Sequence, residues 1–199
     1  NVMVSGSAAL QTRLTRVFAA AEMPVMEGYG LTETSPVISV NDVNNKGFKI
    51  GTVGRIIQNL DVKIAEDGEI LCKGPNVMMG YYKDQELTDE VIKNGYFHTG
   101  DIGEIDHDGF LKITDRKKEM FKTSGGKYIA PQLIENTMKQ SRFIEQIMVI
   151  GAGEKMPAAF IQPSFDFLKD WAKLHNLSIG NTNEEIASNQ HVIDRIQEE

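Results

Sequence analysis

The sequence predicts an α/β segment, then a β-rich segment, then a small α+β segment. Val2 to Val4, a helical stretch from Leu10 to Glu22, and Val25-Met26 make a strand, a helix and a second strand, the unit from which open α/β sheets are built. From Gly51 onward, short strands alternate with glycine turns, which predicts a small distorted barrel or sandwich. After Asp115 the pattern changes to a basic cluster, a hairpin and helices. We therefore expect two domains, residues 1–115 and 116–199.

Composition excludes several classes of function. The 199 residues carry a net charge of −7, so we expect no general attraction to nucleic acid or to anionic membranes. No apolar run reaches the ~18 residues that a transmembrane helix needs, and we expect no signal peptide. The single cysteine, Cys72, excludes an internal disulfide and fits the reducing cytoplasm. Asn1 to Val4 reads as a strand without an initiator methionine, so we expect a piece of a longer protein.

Two glycine turns lie at the predicted carboxyl ends of the first two strands. Ser5-Gly6-Ser7 follows the first strand, and Gly28-Tyr29-Gly30 follows the second. Ligands of open α/β sheets bind in the loops beyond such strand ends, so the two turns are expected to share a site. Ser7 or a neighbour is expected to cap the intervening helix. The apolar stripe predicted for this helix consists of Leu10, Leu14, Val17, Phe18 and Ala21.

The β-rich segment contains two predicted hairpins and one predicted helix. Glu66 to Glu69 reads as the first hairpin turn, and His107 to Gly109 reads as the second. Between them, Gln85 to Asn94 has the pattern of a short surface helix that Gly95 closes. Hairpins at this spacing are the basis for expecting a barrel or sandwich.

The α+β segment begins with a predicted hairpin. Met120 to Ile129 has a glycine tip, and Pro131 suits the first turn of a following helix. Two apolar strands, Ile147 to Ile150 and Ala158 to Ile161, come next. The stretch from Phe165 to His175 predicts an amphipathic helix. Its expected buried face consists of Phe167, Leu168, Trp171 and Leu174.

Residues Glu27 to Ser35 combine three kinds of chemistry in one stretch. Tyr29 offers a ring face for stacking on a base, and the glycines on both sides of it permit a flat ligand to approach the backbone. Thr32 and Ser35 can donate hydrogen bonds to phosphate oxygens. Glu33 supplies a hard oxygen ligand of the kind that Mg²⁺ prefers. Taken alone, the stretch fits a nucleotide–magnesium site and a plain glycine turn equally well.

Three later clusters also contain candidate binding residues. Asp101 lies after a Thr-Gly turn, where its carboxylate could accept both hydroxyls of a ribose or could close an Asx turn. Arg116 could bind a ribose or a phosphate, or belong to a solvated run of charges, and Asp115 beside it lies where hinges are found. Lys122 to Lys127 lacks the spacing of a P-loop, but its hairpin could line a channel for a phosphorylated ligand. The histidines are too scattered for a metal pattern, and Cys72 is more readily a core residue than a nucleophile.

Three motifs, in this order and spacing, resemble those of the adenylate-forming (AMP-binding) superfamily. They are Gly28 to Pro36, Tyr96 to Gly103 and Thr114 to Glu119. Within the superfamily the sequence is most similar to the long-chain fatty-acid–CoA ligases, over residues 1–165. Ser5 to Leu10 is similar to the family's strand-end glycine motif, with Ser7 where a second glycine is usual. The resemblance implies the end of a large α/β domain with an attached small β-barrel subdomain, followed by a small, mobile and here incomplete α+β C-terminal domain.

The resemblance also implies an activity. The family uses ATP, Mg²⁺ and CoA: a fatty acid is adenylated to acyl-AMP, and the acyl group is then transferred to CoA. By resemblance, Asp101 takes the ribose hydroxyls, Asp115 is the hinge, and the hairpin Lys122 to Lys127 shapes the pantetheine tunnel. Thr32 and Glu33 are the implied catalytic residues, with Glu33 on Mg²⁺. The implied cofactor-binding residues are Gly6, Ser7, Gly28, Tyr29, Gly30, Thr32, Asp101, Ile113, Arg116, Gly125 and Gly126.

Two features of the family do not occur in these 199 residues. They are the Ser/Thr/Gly-rich phosphate loop ending in Lys-Gly and the C-terminal lysine that promotes adenylation. We therefore expect the chain alone to bind nucleotide weakly and to have no ligase turnover. A peptide-synthetase adenylation domain, an acyl–carrier-protein ligase and a non-catalytic module of the same fold remain alternatives. Acyl chain length, peripheral membrane contact and oligomeric state stay open.

Overall fold

The computed structural model describes residues 3–43 and 47–199, and the chain divides into two compact units, Asn1–Glu119 and Met120–Glu199. The first unit contains β1 (Met3–Ser5), α1 (Thr12–Ala20), β2 (Val25–Gly30), a 3₁₀ turn (Thr32–Thr34), β3 (Val37–Val40), β4 (Arg55–Ile56), β5 (Asp61–Ile64), β6 (Glu69–Lys73), α2 (Gln85–Val91), β7 (Ile92–Lys93), β8 (Tyr96–Ile105) and β9 (Leu111–Arg116). The second contains β10 (Phe121–Lys122), β11 (Tyr128–Ile129), α3 (Pro131–Met138), β12 (Ile144–Ile150), β13 (Ala158–Pro163), α4 (Phe165–Leu174), α5 (Asn183–Ala187) and α6 (Gln190–Gln197).

The predicted strand–helix–strand unit opens the first unit. β1 pairs in parallel with β2, and the sheet continues through antiparallel β3 and β4. Val2, the first residue of the predicted first strand, lies outside the described residues. Ser5 pairs with Glu27, so the turn after β1 and the end of β2 lie at the same edge of the sheet, as the sequence predicts.

Helix α1 does not bury the face that its apolar residues predict. Its fully buried residue is Thr15, whereas Val17 is 59% exposed. The helix faces β2 through Thr15, which lies beside the buried carboxylate of Glu27. Gln11 occupies the N-cap position without a side-chain hydrogen bond, so the expected cap by Ser7 is wrong. Ser7 instead has a left-handed backbone, with φ 68°, in the turn after β1.

The β-rich segment forms an open sheet rather than the predicted barrel or sandwich. Its strands lie in the order β5-β6-β8, and β7 and β9 pair with successive parts of the long strand β8. Among the described residues this sheet does not close on itself, because the outer edge of β9 is occupied by the segment before β4. Val53 N donates to Leu111 O at 2.9 Å, and Leu111 N donates to Gly54 O at 2.8 Å. These bonds join the β-rich sheet to the α/β sheet.

The predicted helix Gln85 to Asn94 is shorter than expected. Asp84 caps α2 by accepting a hydrogen bond from Leu87 N, and the helix ends at Val91. The next residues pair with β8 instead of continuing the helix, because Ile92 lies opposite Phe97. Gly95 therefore belongs to the turn between β7 and β8 and does not close a helix.

The second unit contains the predicted hairpin, the two predicted apolar strands and the predicted helices. β10 pairs with β11 around the glycine tip, and β12 pairs with β13. Leu168 and Trp171 of α4 pack into the core as expected, but Leu174 is 79% exposed because it is the last residue of the helix. One core cluster of this unit consists of the buried residues Phe143, Leu168, Ala172, Ile179, Ile186 and Val192.

Candidate nucleotide site

The motif Glu27 to Ser35 spans the end of β2 and the 3₁₀ turn that follows it. Alternation along β2 buries Glu27 and Tyr29 on one face. A Cβ on Gly30 would lie 1.8 Å from the carbonyl oxygen of Pro36, so glycine is required there by the return of the chain into β3. The space left by the missing side chain of Gly30 is therefore filled by the protein's own backbone. This differs from the expectation that this glycine makes room for a ligand.

Tyr29 and Asp101 form a buried pair between two sheets. The hydroxyl of Tyr29 in β2 donates to Asp101 Oδ2 in β8 at 2.7 Å. Tyr29 is 9% exposed and its ring packs with Ile38 and Ile70, so stacking on a base would use only a small part of the ring. Burial, and next the charge of Asp101, raise the pKa of Tyr29. Tyr29 is therefore a neutral hydrogen-bond donor at physiological pH.

Asp101 accepts from one group and faces a cation. Burial raises its pKa above 3.8, while the hydrogen bond from Tyr29 and the charge of Arg116 act in the opposite direction. Arg116 Nε lies 3.5 Å from Asp101 Oδ1, and the arginine side chain is 62% exposed. The two residues are partners across β8 and β9. A carboxylate has about four acceptor positions, so Asp101 retains capacity for further donors.

The hinge candidate Asp115 is fully buried in β9. Asp115 Oδ1 accepts a hydrogen bond from the backbone N–H of Arg116 at 2.6 Å. Asp115 lies opposite Ile102 in the β8–β9 pair. Strand β9 ends one residue later, at Arg116. The residue therefore lies at the end of the strand that contributes Arg116.

Thr32 and Glu33 lie in the turn after β2 and are more accessible. Thr32 is exposed and Glu33 is half-buried. The hydroxyl of Tyr81 donates to Glu33 Oε1 at 2.9 Å, and Met78 N donates to the backbone oxygen of Glu33 at 2.8 Å. Burial, and next the hydrogen bond to Glu33, raise the pKa of Tyr81. Sequence reasoning missed Tyr81, which lies 48 residues from Glu33 and belongs to no recognisable motif.

Another buried carboxylate, Glu69, lies near Asp101 and was also missed. Glu69 Oε1 accepts from the backbone N–H of Gly100 at 2.9 Å, and Oε2 lies 2.9 Å from both His98 Nδ1 and Lys117 Nζ. Burial alone would raise the pKa of Glu69, but these hydrogen bonds together outweigh it and lower the pKa. No motif in the sequence indicates this cluster; Glu69 lies only at the end of a predicted hairpin turn.

The remaining site candidates are distributed around the two units. Gly6 and Ser7 are exposed at the end of β1, next to the end of β2. Ile113 is half-buried and packs against the core cluster that contains Tyr29. Gly125 and Gly126 are exposed in the β10–β11 turn of the second unit. The structure thus brings Tyr29, Asp101 and Arg116 into contact within the first unit.

The described part of the chain contains neither a metal-binding cluster nor a helix that could span a membrane. Within residues 3–43 and 47–199, no group of three or more His, Cys, Asp or Glu side chains could hold a metal ion. Over the same ranges, no helix has the length and apolar character needed to cross a bilayer.

Two family models match this chain. The model of AMP-binding enzymes matches residues 1–82, and the model of the AMP-binding enzyme C-terminal domain matches residues 119–196. The chain belongs to the AMP-binding enzymes. Both matches agree with the resemblance carried by the three motifs, and the first includes the Glu27 to Ser35 stretch.

Curated relatives of this AMP-binding chain include long-chain acyl-CoA ligases. The long-chain-fatty-acid–CoA ligase FadD15 of Mycobacterium bovis is 36% identical over 193 residues, which are 97% of this chain and 32% of FadD15. Long chain acyl-CoA synthetase 3 of Arabidopsis thaliana is 37% identical over 194 residues, covering 89% of this chain and 29% of that protein. The chain thus spans about a third of the length of these relatives.

Solved structures of other family members share the fold. O-succinylbenzoate CoA synthetase from Bacillus subtilis, in complex with AMP, matches with a TM-score of 0.71 and 28% identity over 89% of this chain and 40% of that one. The same enzyme in complex with ATP and magnesium matches with a TM-score of 0.71 and 28% identity, covering 87% of this chain and 40% of that one. This chain therefore has the mixed α/β fold of adenylate-forming enzymes.

Proposed function

We propose that this chain carries the adenosine- and magnesium-binding part of an ATP-dependent long-chain fatty acid–CoA ligase. The observation that supports the proposal is the buried Tyr29–Asp101 pair beside Arg116, in a chain 36% identical to a long-chain-fatty-acid–CoA ligase over most of its length. The substrates would be a fatty acid, ATP and CoA, and the compartment the cytoplasm.

The proposed reaction has two steps. A carboxylate oxygen of the fatty acid attacks the α-phosphorus of ATP, and the bond from that phosphorus to the bridging oxygen breaks, releasing pyrophosphate. The sulfur of CoA then attacks the acyl carbon of the acyl-adenylate. The thiol proton is lost, the bond between the acyl carbon and the phosphate oxygen breaks, and AMP leaves with that electron pair. In both steps the residues of this chain bind and orient the nucleotide.

Asp101 is proposed to bind the ribose. Its free acceptor positions suit the two ribose hydroxyls, which are hydrogen-bond donors, and Arg116 adds donors for the ribose oxygens. Tyr29 fixes the carboxylate from the protein side. Gly28 and the accessible part of the Tyr29 ring would form the slot for adenine, with Gly6, Ser7 and Ile113 around it, while Gly30 lets the chain return into β3 behind the slot.

Glu33 and Thr32 are proposed to bind the phosphates and Mg²⁺. Tyr81 occupies one oxygen of the Glu33 carboxylate, which leaves the other oxygen for a cation. Mg²⁺ is usually held by one or two carboxylates together with waters and substrate phosphates, so a single glutamate beside an exposed threonine hydroxyl fits an ion that arrives with ATP. When bound, Mg²⁺ would neutralise negative charge on the phosphates.

The second unit is proposed to be part of the mobile C-terminal domain that serves the CoA step. The match of residues 119–196 to the C-terminal domain model supports this assignment. Asp115 would be the hinge, close to the division of the chain after Glu119. The β10–β11 hairpin with Gly125 and Gly126 would line the path of the pantetheine arm.

Pyrophosphate exchange tests the proposed inactivity of the isolated chain. The phosphate loop and the C-terminal lysine of the family do not occur in these residues, so we expect AMP binding without exchange of labelled pyrophosphate into ATP. Robust exchange would contradict this proposal.

The ligase proposal itself is tested by hydroxylamine trapping. The full-length protein in which the proposal places this chain is incubated with ATP, Mg²⁺ and hydroxylamine, across fatty acids of increasing length and a set of amino acids. Hydroxamates from long-chain fatty acids are expected. Hydroxamates from amino acids alone would assign the chain to a peptide-synthetase adenylation domain, and none from any acid would favour a non-catalytic module.

A further inference from the structure

Asp101 lies on an irregularity of strand β8. Glu69 of β6 pairs with Ile102, and Leu71 pairs with His98, so Ile70 alone lies opposite three residues of β8, which are Thr99, Gly100 and Asp101. Such a bulge interrupts the ladder of backbone hydrogen bonds and re-aims a side chain. Here it points Asp101 toward the hydroxyl of Tyr29.

The bulge has its own set of hydrogen bonds. Thr99 Oγ1 donates to Ile70 O at 2.8 Å and accepts from Asp101 N at 3.1 Å. Gly100 has a left-handed backbone, with φ 74°, which suits glycine. Its N–H donates to Glu69 Oε1 at 2.9 Å, and its carbonyl accepts from Lys117 N at 2.8 Å. Both backbone groups of Gly100 are therefore held by Glu69 or by its partner Lys117.

Glu69 replaces the ladder bond that the bulge removes. Its side chain is only 5% exposed, so the hydrogen bonds to its carboxylate are shielded from solvent. Lys117 Nζ binds this carboxylate at 2.9 Å and also binds Asp67 Oδ2 at 2.6 Å. His98 Nδ1 contacts Glu69 Oε2, the same oxygen that Lys117 Nζ contacts. The turn before β6, the bulge in β8 and the end of β9 thus meet at one carboxylate.

We propose that Glu69 is a positioning residue for ribose binding, which holds the Thr99–Asp101 bulge so that the Asp101 carboxylate is fixed against Tyr29 and directed at the ribose. This inference rests on the proposed function in one respect, the identity of the ligand. The placement of Asp101 by Glu69 is a property of the chain itself and can be measured without nucleotide.

The test compares three variants of the 199-residue chain. Glu69→Ala removes every contact of the carboxylate. Glu69→Gln keeps an oxygen for Gly100 N–H but presents an amide NH₂ to Lys117 and His98. Glu104→Gln is the matched control, because Glu104 of β8 forms an exposed ion pair with Lys112 of β9.

The first measurement is hydrogen exchange of the Gly100 and Asp101 amides, with the Leu111 amide in the same sheet as the internal reference. Relative to Leu111, we expect exchange to rise at least ~10-fold in Glu69→Ala, less in Glu69→Gln, and not at all in Glu104→Gln. The NMR signal of the Tyr29 hydroxyl proton is expected to disappear in both Glu69 variants. If Glu69→Ala does not fold, the exchange rates in Glu69→Gln decide whether the proposal stands. It would be overturned if Glu69→Gln left the exchange rates of the Gly100 and Asp101 amides unchanged, or if the exchange rates of the Leu111 and Gly100 amides rose equally.

The second measurement is discrimination between AMP and 2′,3′-dideoxy-AMP. Hydrogen bonds to a charged group predict a preference of at least ~10-fold for AMP in the wild-type chain. We expect this preference to fall several-fold in Glu69→Gln while the affinity for dideoxy-AMP stays the same. An unchanged preference would overturn the role of Glu69 in ribose binding. Absence of AMP binding by the wild-type chain would instead refute the proposed function, and hydrogen exchange would still decide whether Glu69 positions Asp101.

Discussion

The two ends of the proposed nucleotide site are built differently. At the ribose end, Asp101 is buried, bonded to Tyr29 and placed on a bulge that Glu69 holds. At the phosphate end, Thr32 is exposed and the carboxylate of Glu33 is half-buried with a hydrogen bond from Tyr81. Polar groups in a buried network interact strongly and are costly to leave unpaired. The chain therefore fixes its ribose end by itself, whereas the phosphate end is suited to completion by a ligand and an ion.

The largest expected effect is loss of AMP binding when the ribose end is removed. Asp101→Ala deletes the proposed acceptor of the ribose hydroxyls and the carboxylate to which Tyr29 donates, so AMP affinity should fall about 10- to 100-fold. NMR or calorimetric titration measures it. Asp108→Asn is the control, because Asp108 is an exposed aspartate with an ion pair on the turn between β8 and β9. Equal AMP affinity in the wild-type and Asp101→Ala chains would show that the Tyr29–Asp101 pair has no part in nucleotide binding.

Substitutions at Gly28 and Gly30 can distinguish a glycine needed for packing from a glycine needed for the ligand. A Cβ on Gly30 would collide with the backbone of Pro36, while a Cβ on Gly28 would lie 3.4 Å from Ser39 O, close to ordinary contact. We expect Gly30→Ala to lower the free energy of unfolding by about 1–3 kcal/mol and Gly28→Ala to lower it less. Urea denaturation measures both. A Gly28→Ala variant that is stable but binds AMP poorly would assign Gly28 to the adenine slot, and equal stability losses would contradict the packing argument.

Sequence reasoning identified the residues of the proposed ribose end but not the contacts that Glu69 makes with their neighbours. The motifs that contain Tyr29, Asp101 and Arg116 are local in sequence, and the structure brings these three residues into contact. Glu69 acts on Gly100, 31 residues away, and on Lys117, 48 residues away. Those contacts depend on strand register and on a bulge, and neither can be read from a pattern of alternating residues.

The same limit explains the errors in the fold. Alternation and turn residues predicted the hairpins of the β-rich segment, but closure of a barrel depends on which outer edges meet. The edge of β9 pairs with Val53 and Gly54, far away in sequence. Likewise, the apolar spacing of α1 predicted a buried Val17, while packing against β2 buries Thr15. Pairing partners and the packed face are tertiary choices, which local periodicity does not determine.

The buried carboxylates of Glu69 and Asp101 should respond to pH in opposite directions. The pKa of Glu69 is lowered from 4.5, so its contribution to stability is present above that pH and is lost as the pH falls through the folded pKa. The pKa of Asp101 is raised from 3.8, so its contribution is present below that value and is lost as the pH rises through the folded pKa. Relative to wild type, Glu69→Gln should therefore become less stable as the pH rises through the folded pKa of Glu69, which lies below 4.5, whereas Asp101→Asn should become more stable as the pH rises through the folded pKa of Asp101, which lies above 3.8. Urea unfolding at pH values on both sides of these pKa values measures the two slopes, and slopes of the same sign would contradict the assignment.

The smallest expected effect lies at the phosphate end. Tyr81 restrains the carboxylate of Glu33 with one hydrogen bond between neutral and charged partners, and Met78 holds the backbone of the same residue. In Tyr81→Phe the backbone contact remains and only the orientation of the carboxylate is lost. A hydrogen bond to a charged group contributes about 1.5–3 kcal/mol, and only part of this acts on Mg²⁺ through the orientation of the carboxylate, so we expect the gain in ATP affinity that Mg²⁺ provides to fall by about 2- to 10-fold.

The matched control for Tyr81→Phe is Tyr82→Phe, because Tyr82 is the adjacent tyrosine and is almost fully exposed. AMP binding without Mg²⁺ should be the same in both variants, since the ribose end does not include either tyrosine. ATP titrations with and without Mg²⁺ measure the difference. If Tyr81→Phe leaves the Mg²⁺-dependent gain in ATP affinity intact, Glu33 does not need a hydrogen-bond partner from the chain. The ribose end, which the chain holds by itself, and the phosphate end, which the ion completes, would then differ even more. If AMP binding falls together with the Mg²⁺-dependent gain, the two ends are coupled and the contrast between them is wrong.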